Sequence, residues 1–282
     1  MSSEESAAKI KVGLIGAGNV ATHLMAGLQQ GGAEVVLVYS RSLEHAQALA
    51  NGTPGVIATD NLDFTRSPAA HVYLISVPDQ AIPSVVAAAR FPVGALVAHT
   101  SGTQPLSVLV ALANVHTGVF YPLQTFSKEK PVDWARIPLC LEASDAQSEF
   151  LLSTLAHQLS QVVVPMPGDA RKQLHLAAVF ACNFANHLWG VAQEVMQQAQ
   201  LPFTLLEPLL QETLAKALLY PPFAVQTGPA QRKDQSTVQT HLQLLSGHPQ
   251  YQELYQVLTQ SIQTTAAGRQ NLAHTRGKDS AE

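Results

Sequence analysis

The chain has 282 residues, 46% hydrophobic and 13% charged, enough to bury one large core or two ordinary ones. Lys and Arg total 16 against 20 for Asp and Glu, a net charge of −4 that argues against nucleic acid as the main partner, since phosphate binding needs a basic surface. Cys140 and Cys182 make no disulfide framework, residues 1–9 lack the apolar core of a secretory leader, and no stretch approaches the roughly 20 apolar residues of a membrane span. A soluble, cytoplasmic protein with no membrane partner is expected.

Through residue 167 the chain alternates β-branched runs with helix-length segments. Strands are predicted at 10–15, 34–39, 56–58, 72–76, 95–99, 115–120, 137–142 and 162–166. Several are unbroken apolar runs, as in Val35-Val36-Leu37-Val38, which is how strands covered by helices on both faces read. This predicts an α/β fold with a doubly wound, mainly parallel sheet. After the punctuation Pro165-Met166-Pro167-Gly168 the pattern is all helical, with helices predicted at 169–200, 204–219, 236–245 and 249–273 and a frayed tail at 276–282. The domains expected are therefore 1–167, α/β, and 168–282, all-helical.

The first strand ends in Gly16-Ala17-Gly18-Asn19-Val20-Ala21 and leads into a helix predicted at 19–28. In that context the glycines mark a dinucleotide site. Gly16 makes the tight turn, Gly18 keeps its surface clear for a pyrophosphate, and small Ala21 lets helix and strand pack closely. NAD-preferring sites carry an acid at the end of the second strand, whereas this chain reads Ser40-Arg41-Ser42 with no carboxylate before Glu44. A guanidinium with two hydroxyls suits a 2′-phosphate, so NADP is the expected cofactor.

Further strand ends are Ser76-Val77-Pro78-Asp79, with Asp79 expected to cap the helix 80–90, and His99-Thr100-Ser101-Gly102. Both lie where an open parallel sheet receives ligands, and His99, Thr100 and Ser101 cluster where a nicotinamide would lie. A capping Ser-Gly turn is the plain alternative. In the apolar helix 174–195 and the turn before it, Lys172, His175, Asn183 and Asn186 fall within about 80° of arc at about 100° per residue, a polar stripe suited to a cleft or to an interdomain seam. The 11 histidines show no metal-ligand spacing, so no metal is expected.

These segments, with Tyr121-Pro122-Leu123-Gln124-Thr125-Phe126, the run from Lys172 to Asn186, and Thr227-Gly228-Pro229 through Arg232, Asp234, Thr237 and His241, resemble a family of Rossmann-like oxidoreductases with a helical C-terminal domain. Distantly similar are pyrroline-5-carboxylate reductase, ketopantoate reductase and the β-hydroxyacid and 6-phosphogluconate dehydrogenases. Members usually carry His at the position of Tyr121. The spacing Gly168-xxx-Lys172-xx-His175 resembles the catalytic helix of the β-hydroxyacid dehydrogenases, which implies Lys172 as general acid or base. His175 or Asn183 would orient a small carbonyl or imine substrate, Asn186 would line its site, and Arg232 would clamp a carboxylate unless Asp234 simply caps the next helix. The resemblance also implies a homodimer through the helical domain. The rival reading is a non-catalytic NADP(H)-binding sensor.

Overall fold

The computed structural model describes residues 9–279, with side chains through 268. The expected absence of a leader rests mostly on residues outside that range. The end of the expected frayed tail also lies outside it, while 276–279 continue the last helix. No helix among the described residues is long and apolar enough to cross a membrane. The chain divides after Phe184 into two compact units.

The first unit is built on one sheet of order β3-β2-β1-β4-β5-β6-β7-β8. Its strands are β1 (Lys11–Ile15), β2 (Glu34–Tyr39), β3 (Ile57–Thr59), β4 (Val72–Ile75), β5 (Leu96–His99), β6 (His116–Pro122), β7 (Leu139–Ala143) and β8 (Val163–Pro165). Every neighbour pair is parallel except β6 with β7, where Phe120 opposes Leu141. Helices α1 (Asn19–Gln30), α2 (Leu43–Ala50), α3 (Ile82–Ala88) and α4 (Ala146–His157) connect the strands.

Two apolar layers result, as expected of a sheet with helices on both faces. One gathers Leu14, Leu24, Leu28, Val38, Phe120 and Leu152, and the other Ile15, Leu37, Phe64, Tyr73, Ile75 and Val97. Alternate residues of β1 thus serve opposite layers, which is why that strand has no polar face.

Helix α5 (Gly168–Ala178) also belongs to this unit, so the division falls beyond the proline-rich punctuation near 167. The physical tie is Arg171. It is fully buried, donates to Glu142 of β7 at 2.5 Å and to the Gln104 carbonyl at 2.7 Å, and so anchors α5 to the sheet. A π-helical turn, Val179–Phe184, comes next.

The second unit holds α6 (Ala185–Gln198), α7 (Glu207–Leu219), the short α8 (Pro229–Arg232), α9 (Gln235–Leu244) and α10 (Pro249–Asp279). Among its described residues only Ala230 and Val238 are buried hydrophobics. Leu209, Leu214 and Leu218 of α7 and Trp189 of α6 are exposed, so apolar surface of both helices is open in the single chain.

Candidate active site

The β1–α1 turn is dictated by its glycines. Gly16 has φ +127°, and a Cβ there would meet the Ser76 carbonyl oxygen, so no other residue fits. Its N–H donates to the Tyr39 carbonyl at 2.8 Å, and the Ser76 N–H donates to the Ile15 carbonyl at 2.7 Å, which locks the ends of β1, β2 and β4 together. Gly18 precedes α1 without a side-chain cap, and no acid stands in the first turn. The N–H groups of that turn therefore lack intrahelical partners and favour an anion. A Cβ at Gly18 would project into open space.

These strand ends enclose a cleft of about 520 Å³, lined among others by Gly16, Gly18, Ser40, Arg41, Val77 and Pro78. Ser76 also lines it, and its buried hydroxyl makes no hydrogen bond. The lining contains Arg41, His45 and Lys128 but neither Asp nor Glu. A dinucleotide carrying an extra phosphate fits this donor set: a free helix N-terminus, an open glycine surface and cations without a competing carboxylate.

Among the other residues expected here, Asn19 and Val20 open α1 but do not line the cleft; the Asn19 side chain donates instead to the Phe126 carbonyl at 2.9 Å. Ser42 occupies the position before α2 without a side-chain cap bond. His99, Thr100 and Ser101 are buried at the end of β5, outside the lining. The His99 Nδ1 accepts the Ser101 N–H at 3.2 Å, while its Nε2 makes no bond of ordinary geometry. Burial, and then the Arg171 cation, hold this ring down to about 4, against a weaker upward pull from the Pro105 carbonyl, Asp79 and Glu142. Asp79 does not cap the following helix. It begins a 3-10 turn, Asp79–Ala81, Ala81 holds the position before α3, and the Asp79 carboxylate accepts the Thr103 hydroxyl.

On α5, Arg171 points inward and His175, about 40° away around the axis, is half-buried. Lys172, about 60° beyond His175, is exposed, with its Nζ 3.5 Å from Asp169. The His175 Nδ1 lies 3.1 Å from the Tyr121 hydroxyl, and burial pushes that phenol up to about 12. Both rings rest on Gly102, where any Cβ would meet them.

The stripe expected through Lys172, His175, Asn183 and Asn186 assumed about 100° per residue throughout, and the π-helical turn Val179–Phe184, with its wider i→i+5 spacing, departs from that assumption. Asn183 is exposed within that turn. Asn186 and Arg232 belong to the second unit and are exposed there. Asp234 caps α9 through the Thr237 N–H. No group of three or more His, Cys, Asp or Glu among the described residues could hold a metal ion.

Sequence reasoning missed Tyr39, Thr22, His45 and Lys128 in the cleft. Tyr39, at the end of β2, could have been found from the strand-end rule; Lys128, on a distant loop, carries no local signal.

The fold and the cleft define a dinucleotide-binding protein of Rossmann type with a helical C-terminal unit. Residues 11–99 match the family model for NADP oxidoreductase, coenzyme F420-dependent, and residues 137–262 match a domain of unknown function, DUF2520. Among curated proteins none matches. A candidate NADP oxidoreductase of Bacteroides fragilis is 39% identical with a TM-score of 0.81, over 91% of this chain and 98% of that one. The chain therefore belongs to the family of that protein, an NADP oxidoreductase family. The fold alone is shared with a reductive aminase of Aspergillus terreus solved with NADPH and ethyl levulinate (13% identity, TM-score 0.68, 93% and 95% covered). It is shared too with 1-pyrroline-5-carboxylate reductase of Streptococcus pyogenes (13%, 0.58, 90% and 98%).

Proposed function

We propose that the protein passes hydride between NADP and the carbon of a small carbonyl or imine substrate. The observation that carries this reading is the 520 Å³ cleft, where an uncapped helix N-terminus at Gly18 faces Arg41 with no carboxylate in the lining. NADPH, when bound, supplies the hydride. The chain binds and orients the dinucleotide: α1 takes the pyrophosphate on its free N–H groups, Arg41 and Ser40 take the 2′-phosphate, and Val77 with Pro78 offers apolar surface to a ring.

The second task is to hold a proton beside the reacting carbon. Lys172 carries it in this reading, next to His175, which is set by its bond to Tyr121 and orients the substrate heteroatom. The helical unit pairs with a second copy of the chain, because it has almost no buried core of its own and exposes Trp189, Leu209, Leu214 and Leu218. Light scattering should then give about twice the 30.1 kDa chain mass, and a monomer would exclude the pairing.

The test is to mix the protein with NADPH and a panel of keto acids, aldehydes and cyclic imines while following the absorbance of the reduced nicotinamide. Oxidation by at least one class is expected. Tight NADPH binding without oxidation across the panel would make the protein a sensor rather than an enzyme.

A further inference from the structure

The loop after β6 is fastened to the start of α1. Asn19, the first residue of that helix, donates its side-chain amide to the Phe126 carbonyl at 2.9 Å. One turn on, Nε2 of buried His23 lies 2.8 Å from the Ser127 carbonyl. A carbonyl oxygen only accepts, so Nε2 carries the proton in this bond. The His23 ring also packs 5.1 Å from that of Phe126. Two consecutive carbonyls are thus drawn onto α1, and the next residue, Lys128, lines the cleft beside Gly18, Thr22 and Arg41. Lys128 is exposed and makes no ion pair among the described residues.

We propose that Lys128, far from Arg41 in sequence but lining the same cleft, binds a phosphate of the dinucleotide, and that Asn19 and His23 are its positioning residues. This rests on the NADP reading above. A cation held near an uncapped helix N-terminus adds to the same positive field, and an unpaired ammonium gives up no protein partner when a phosphate arrives. Fastening the loop removes part of the ordering cost that a free lysine would meet on binding.

The test titrates the full chain with NADPH and with NADH, comparing the unmodified protein, Lys128→Gln, Asn19→Ala and the double variant. Lys128→Gln should weaken NADPH binding about tenfold, with a shallower dependence on salt. Equal weakening toward NADH assigns the contact to the pyrophosphate, and weakening confined to NADPH assigns it to the 2′-phosphate. The loss caused by Asn19→Ala should largely vanish in the Lys128→Gln background. Unchanged NADPH affinity in Lys128→Gln overturns the proposal, and additive losses in the double variant overturn the positioning role. An unmodified protein that binds neither nucleotide overturns the cofactor reading itself.

Discussion

Arg171 is fully buried with its Nη1 2.5 Å from Oε2 of Glu142, a charge pair that joins α5 to β7. Its Nε has no hydrogen-bond partner, so the side chain is held by Glu142 and the Gln104 carbonyl alone. Removing the guanidinium leaves both acceptors without their partner. Arg171→Met should cost about 3 kcal/mol, the lower end for breaking a buried pair because Glu142 retains 24% exposure. Urea unfolding followed by a probe in the first unit checks this, and a loss below about 1 kcal/mol would contradict it.

The two glycines of the β1–α1 turn should separate folding from binding. Gly16→Ala forces a side chain into a left-handed backbone against the Ser76 carbonyl and should destabilise the protein by about 1–3 kcal/mol. A Cβ at Gly18 meets nothing within 4 Å, so in Gly18→Val stability should hold while NADPH binding falls at least tenfold. Paired melting and titration experiments would show it; loss of folding in Gly18→Val would refute the open-surface argument.

His99 gives stability a pH dependence of known sign. Its folded value, about 4, lies below the ordinary 6.5, so between those values the unfolded chain binds the extra proton. The stabilisation is full above about pH 6.5 and is lost progressively as pH falls toward 4, by up to roughly 3 kcal/mol. His99→Asn should flatten this part of the urea-midpoint profile. Parallel profiles for the two proteins would contradict it.

Lys172→Met keeps the apolar stem and removes the ammonium. Folding and NADPH binding should survive, while turnover on a substrate found in the panel should fall by roughly 10²–10⁴. A fall below threefold would leave Lys172 as a surface partner of Asp169, and attention would pass to His175 and Tyr121.

The strands and the glycine turn were legible because buried parallel strands read as apolar runs and because a tight βα turn demands glycine at Gly16. The reversal of β7 was not, since direction leaves no mark on composition when both faces are covered. The π turn at Val179–Phe184 was equally silent, and it departs from the regular α-helical spacing on which the stripe through Lys172, His175, Asn183 and Asn186 was drawn. Arg171 carries no signal in the sequence, because nothing local reveals its buried pairing with Glu142 of β7. Lys128 follows Phe126 and Ser127, whose carbonyls are bonded to Asn19 and His23 across a long separation in the chain that leaves no local signal.

The central claim is that this cleft is built for NADP, and side-by-side equilibrium titration with NADPH and NADH tests it most directly. NADPH should bind at least tenfold more tightly, a difference of about 1.4 kcal/mol, and Arg41→Asp should abolish or invert the preference. Equal affinities in the unmodified protein would contradict the account.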